Sequence, residues 1–279
     1  MTLSSSPTWS GLLLTATALL APPAAAEQQP TQQPLWEAGI GLSALTLPHY
    51  RGSDQNQSWL LPLPYFVYRG AIFRADRDGA RAVFVDSQRF DVDVSVSATA
   101  PTRGDDNLAR RGMPELAGTL QVGPNVNIRL AHGPGWKAEL RLPVHAVVTL
   151  QRQPKAIGWT AQPNVNVDWR VGAWNIGAQA GLLAATRRYH DHLYGVDGPF
   201  ATVDRPAYAA PGGGAGWRIT SGVSRRSGNW WFGAFVRADS VAGASFEASP
   251  LVKRDNNFSA GVALSWVFAQ SDRRVDAND

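Results

Sequence analysis

The chain contains no cysteine among its 279 residues. In an exported protein that absence excludes disulfide staples, thiolate metal sites and thiol nucleophiles together. It also lacks any apolar run of the roughly 20 residues that a membrane-spanning helix needs. The apolar stretch 11–21 is too short, and Pro22, Pro23 and the small residues Ala24, Ala25 and Ala26 follow it. No Lys or Arg precedes that stretch, yet its length and small-residue end read as a secretory signal peptide cleaved after Ala26. Nor is there a patch of one charge sign. The 26 Lys and Arg against 22 Asp and Glu leave a net charge of +4, with the Arg residues scattered, which argues against a nucleic-acid partner.

What the chain has is alternation. Trp136, Ala138, Leu140, Leu142, Val144, Ala146, Val148 and Leu150 share one parity, and Lys137, Glu139, Arg141, Pro143, His145, Val147 and Thr149 share the other. A period of two puts one strand face in an apolar phase and the other in a polar one. The pattern returns in 90–98, 116–130, 157–171, 174–184 and 258–268. Segments of roughly 10 residues separated by turn residues are the signature of a transmembrane β-barrel. The mean hydropathy of −0.19 is no objection, because a polar lumen cancels an apolar exterior. The fold expected is therefore all-β, a single antiparallel transmembrane barrel over residues 27–268, with 269–279 as a disordered polar tail. About twelve strands are expected, with ten as the alternative.

The tryptophans give an orientation. With both ends of the mature chain in the periplasm, Trp36, Trp136, Trp174 and Trp230 open outward-running segments, and Trp169, Trp266 and Phe268 close returning ones. All seven then form the periplasmic aromatic girdle. Trp59, Trp159 and Trp217 mark the outer rim. Short turns near 132–135, 172 and 226–229 fall inside, and the longer stretches 47–57, 100–112, 187–213 and 239–257 fall outside. Pro124, Pro143 and Pro163 lie inside strands, where each removes a ladder hydrogen bond, and are read as bulges.

Four motifs in order carry a family resemblance. Residues 249–261, opening Ser249-Pro250-Leu251 and ending Phe258-Ser259-Ala260-Gly261, resemble the closing motif of the MipA/OmpV family. Pro48-His49-Tyr50-Arg51-Gly52-Ser53 is similar to its first outer loop, Leu63-Pro64-Tyr65 to its second strand, and the stretch from Tyr189 to Val196 to its tyrosine-rich loop. His190, His192 and the residues beyond Phe268 depart from the pattern. The resemblance implies an outer-membrane barrel without a catalytic residue or cofactor, set among outer-membrane lipid and lipopolysaccharide. It also implies a scaffold holding a murein-degrading transglycosylase beside a murein synthase. Other members are linked to adhesion or to salt and antibiotic response. His49, Tyr50, Gly52, Ser53, Tyr189, Tyr194, Ser249 and Pro250 are the loop contacts it marks.

Other constellations have plainer readings. His190-Asp191-His192 offers two imidazoles and a carboxylate but no evident third local ligand, so no metal is expected. His145 on the lumen parity, and His49 with Ser53 four residues on, lack an orienting carboxylate, so a lipid hydrolase is the weakest alternative. Glu37, Asp91, Asp93, Lys137, Glu139, Arg141, Asp168, Arg170, Arg218 and Arg237 face the lumen by parity. Their mixed sign fits a cross-braced interior, since buried charges are costly unless paired. A selective pore would show rings of one sign, which leaves a narrow diffusion channel as the second reading. Pro211 to Gly216 is glycine-rich but lacks the Lys-Ser/Thr of a phosphate loop, and fits a bend or bulge.

Overall fold

The computed structural model describes residues 32–76, 79–99, 101–102 and 106–276. The expected signal peptide, 1–26, and the last residues of the tail lie outside the described residues. Twelve antiparallel strands close into one barrel. They are β1 (Trp36–Pro48), β2 (Asn56–Arg69), β3 (Phe73–Asp76), β4 (Gly79–Asp86), β5 (Phe90–Thr99) and β6 (Thr119–Gly133). Next come β7 (Trp136–Thr149), β8 in two pieces (Ala156–Ala161 and Asn164–Val171) and β9 (Trp174–Ala185). Then follow β10 (Gly213–Ser227), β11 (Trp230–Ser240) and β12 (Asn256–Gln270). The barrel closes where β12 meets β1, with Leu264 opposite Leu42. Closure matters because lipid cannot satisfy a free backbone group.

The period-two pattern sorts as physics demands. Ile40, Leu42, Phe258, Val262 and Leu264 are exposed on the lipid face, whereas Glu37, Asp93 and Glu139 are buried on the lumen face. Trp136 pairs with Trp169 and Trp230 with Trp266, all at one end of the wall. Trp36 lies opposite Tyr68, Trp174 opposite Val171, and Phe268 is exposed near the end of β12 at that same end. The turns there are two residues long between β6 and β7, β8 and β9, and β10 and β11, with Gly135, Gly172 and Gly228 at φ of 76°, 59° and 56°. Such a turn needs a residue free to take positive φ. At the opposite end Trp159 and Trp217 are exposed, but Trp59 departs from the expectation. It pairs with Leu45 and shares the lumen parity of Glu37.

The prolines also differ from expectation. None is a bulge. Val144 pairs with Ala161 and Arg141 with Asn164, so the register is unchanged across Pro163, which merely divides β8. Likewise Val122 pairs with Ala146 and Asn125 with Pro143, leaving an unladdered step between β6 and β7 without a slip. Gly123 sits in that step, where a Cβ would clash with the backbone of Val144 and His145. A missing N–H opens the ladder locally, but adding a residue is what shifts register. The true irregularities fall elsewhere, at Val83–Val85, Arg129–Ala131, Val147–Val148, Leu182–Ala184 and Val267–Ala269.

The tail is ordered further than expected. β12 runs to Gln270, and Arg274–Asp276 forms a small ribbon with Gln32–Pro34. One wall segment is short. β3 and β2 share only Tyr68↔Ala75 and Arg69↔Arg74, and the β4–β5 ladder ends at Ala80↔Val96.

Candidate functional site

The longer loops fold back on one another over the mouth at the end opposite the turns. An α-helix, α1 (Arg187–Tyr194), a 3-10 turn at Leu108–Arg110 and the loops 49–55 and 241–255 share one apolar core. At its centre Tyr194 stacks on Phe246, with His190 edge-on to the same ring at 4.6 Å and Tyr50 edge-on to Tyr194 at 6.2 Å. Edge and offset contacts are how aromatic quadrupoles prefer to meet.

Polar atoms tie the loops together. Tyr50 Oη donates to the Leu251 carbonyl at 2.8 Å, Tyr194 Oη to the Arg51 carbonyl at 3.0 Å, and Ser249 Oγ to the Tyr194 carbonyl at 2.7 Å. Asn257 accepts from Gly52 N at 2.6 Å and donates to the Ser53 carbonyl at 2.7 Å. Asn107 donates to Ser53 Oγ at 3.0 Å and faces His49 Nδ1 at 3.3 Å. The His49 carbonyl accepts from Thr102 Oγ1 at 2.8 Å. Burial pushes the Tyr50 and Tyr194 hydroxyls up and the Arg110 guanidinium down. Arg110 donates from one terminal nitrogen to the Leu193 carbonyl at 2.9 Å.

Of the residues marked by the resemblance, His49, Tyr50, Gly52, Ser53, Tyr194 and Ser249 meet in this cap. Tyr189 lies on α1 within the field of Arg218 and Arg51, and Pro250 is half-buried beside Ser249. The His190-Asp191-His192 run does not converge. His190 Nδ1 donates to the Pro211 carbonyl at 2.8 Å, while Asp191 Oδ1 accepts from Ala210 N at 2.9 Å. Among the described residues no cluster of three or more His, Cys, Asp or Glu is arranged to hold a metal.

Beneath the cap, Asp239 is buried and receives three guanidiniums. Arg218 Nε is 2.7 Å away, Arg51 Nε 3.0 Å and Arg237 Nε 3.2 Å. Arg51 also donates to the Ser240 carbonyl at 2.7 Å, so this one loop residue bolts the cap to the wall. Charges lower in the lumen are paired too. Glu37 meets Arg69 at 2.9 Å and Arg226 at 3.6 Å, and Glu139 meets Arg141 at 3.0 Å and Lys137 at 3.4 Å. Arg141 also reaches Asp168 at 3.8 Å, and Arg170 reaches Asn175 Oδ1 at 3.5 Å. Asn127 donates to Asp91 at 2.7 Å and to Asp93 at 2.8 Å.

A serine also meets a histidine. Ser95 Oγ lies 2.9 Å from His145 Nε2, reaching over the bare backbone of Gly123 between their strands. Sequence placed His145 in the lumen but missed Ser95, which a two-strand register would have located. Asn107, Asp239 and Phe246 were missed as well, and Arg51 and Asn257 were not singled out although both lie inside the quoted motifs. Asp239 carried a signal too, lying two residues after Arg237 on the lumen parity.

The match to a family model described as MltA-interacting protein MipA spans residues 40–268, from β1 to the last aromatic of β12. The chain belongs to the MipA family. It is an outer-membrane β-barrel. No curated protein matches the chain. Among solved structures it is similar to a bacterial polysaccharide outer membrane secretin, at 9% identity over 84% of this chain and 99% of that one, with a TM-score of 0.42. It is also similar to the β domain of the Bordetella autotransporter BrkA, at 11% over 84% and 100%, with a TM-score of 0.40. A porin gives 11% over 84% and 99%, with a TM-score of 0.34. None of these likenesses bears on the site.

Proposed function

We propose that the protein is a non-enzymatic outer-membrane adaptor that holds a murein-degrading enzyme beside a murein synthase. One observation carries this reading. The loops close the mouth over an apolar core bolted to Asp239 through Arg51, where a passive channel needs an open, wet path. The lumen charges add support, because each sign meets the other instead of forming a ring. The family's name, MltA-interacting, points to a murein enzyme as partner. Outer-membrane lipid and lipopolysaccharide surround the lipid face and the cap. The murein-side surface includes the ribbon of Gln32–Pro34 with Arg274–Asp276, a paired element beyond the barrel wall.

The test uses the full folded barrel, immobilised in detergent, with a purified lytic transglycosylase and a purified murein synthase passed over it. Retention of both, lost when 271–279 is deleted, is the expected result. Failure to retain either, together with single-channel steps in a planar bilayer, would put the channel reading first.

A further inference from the structure

Along one arc of the wall the lumen parity runs short of side chains. At the level of Asp168 the row across the strands reads Asp168, Gly177, Gly222, Phe235, Gly261 and Leu45, each paired with the next. The row below it, toward the short turns, continues with Ser224, Gly233, Ala263 and Ser43. Interior positions of a small barrel are ordinarily filled by side chains, and here they are not. The result is a cavity of about 520 Å³ against β8 to β12 and β1, within the size range of small-molecule pockets.

Two of the glycines seat aromatic rings. A Cβ on Gly233 would collide with the Trp231 indole, and one on Gly261 with the Phe235 ring. Both rings therefore lie down against bare backbone, and both border the cavity. Beside them, on β8 to β10, the lining is polar. Gln179, Thr220 and Ser224 offer side-chain donors and acceptors that meet no partner among the described residues. The one carboxylate is already engaged: Asp168 accepts from Asn166 at 2.8 Å and faces Arg141 at 3.8 Å. Asn175 and Trp231, each the second residue of its strand after a short turn, border the lower end. The cap roofs the other end, which leaves the turn end as the way in.

We propose that this cavity binds a neutral sugar of one or two rings, taken up from the periplasmic side. A sugar ring has an apolar C–H face, which suits the negative face of Trp231 or Phe235. Its rim of hydroxyls both donates and accepts, as the amide of Gln179 and the hydroxyls of Thr220 and Ser224 require. A charged ligand would find its counter-ions here already paired. This goes beyond the adaptor reading and does not rest on it.

The test uses the full barrel in an amine-oxide detergent, since a maltoside headgroup would itself compete. Maltose, cellobiose and di-N-acetylchitobiose are titrated into it by calorimetry, and saturable binding of at least one at millimolar concentration is expected. Trp231→Leu and Gln179→Leu should each weaken that binding about tenfold, by removing a ring face or a hydrogen-bonding amide. Gly222→Leu should abolish it, because a side chain there has ordinary contact room and fills the cavity. Phe232→Leu, on the lipid parity opposite Leu264, should leave it unchanged, and heat-modifiable migration reports folding for all four variants. No saturable binding of any of the three sugars at tens of millimolar would overturn the site, as would an affinity that none of the three lumen variants moves. Association followed by stopped-flow tryptophan fluorescence should be slowed by Asn175→Trp at the lower rim and unaffected by Phe246→Ala in the cap. Faster association in Phe246→Ala would overturn entry from the turn end.

Discussion

Tyr194 lies flat on Phe246, ring centroids 3.6 Å apart and planes 9° from parallel, at the centre of the cap. The two rings come from loops more than fifty residues apart, and each is almost wholly buried. Phe246→Ala should therefore remove about 3–5 kcal/mol from cap packing, the usual range for emptying a buried aromatic site. The wall does not depend on that ring, so the variant should keep heat-modifiable migration while loops 187–212 and 241–255 become sensitive to protease. Unchanged protease resistance would mean that the cap is held by its hydrogen bonds alone.

The cap should also weaken in mild acid. Burial and the nearby Arg51 hold His190 below its ordinary pKa of 6.5, against the raising effect of its bond to Pro211. Burial and Arg110 do the same to His192, and burial lowers His49 despite Asp106. The folded cap thus favours neutral histidines. As pH falls below 6.5 the unfolded loops take up protons first, so cap stability declines until the folded groups protonate as well. Loop proteolysis measured from neutral pH down to about 5 should rise, and His190→Gln should flatten the profile.

Much of the wall could be read from the chain, because a strand with one lipid face and one lumen face repeats its chemistry every second residue. The cap could not. Tyr50 and Leu251 lie 201 residues apart, and loop contacts of that reach leave no period to read. The prolines misled for a related reason: the pattern shows that a donor is missing but not whether a residue was added, and only the register of Val144↔Ala161 with Arg141↔Asn164 decides it. The tail misled because a polar stretch looks the same whether free or paired to Gln32–Pro34.

Asp239 is the keystone beneath the cap. Asp239→Asn would leave Arg51, Arg218 and Arg237 facing one another without their counter-ion. Breaking a buried pair in this way costs about 3–5 kcal/mol. The wild-type barrel should show little or no conductance in a planar bilayer, and Asp239→Asn should show intermittent openings as Arg51 lets go. Steady conductance already present in the wild type would defeat this account.

Leu140 faces lipid near the middle of β7, paired with Ile128 and Val165. Leu140→Arg should cost about 2–4 kcal/mol in folding into liposomes. Gln179→Arg, on the lumen parity opposite Asn166, should cost less, because a guanidinium there has Asp168 and water within reach. Equal costs would mean a register wrong by one residue.

The last prediction concerns the closing strand. Phe258, Ala260, Val262, Leu264 and Trp266 carry the lipid-facing parity, and Phe268 is again exposed past the irregularity between Val267 and Ala269. Until β12 meets β1 the growing barrel presents an unpaired edge that lipid cannot satisfy. Trp266 is in the β12–β1 ladder, opposite Ile40, and both aromatics sit at the interfacial end where amphipathic or bulky rings anchor a strand. Trp266→Ala together with Phe268→Ala should lower the amount of heat-modifiable barrel in the outer membrane. Deleting 271–279 removes the ribbon partner of Gln32–Pro34 but takes nothing from the β12–β1 ladder, so assembly should persist. If the deletion blocks assembly and the double alanine does not, the ribbon, and not the aromatic end of β12, is what fastens the barrel shut.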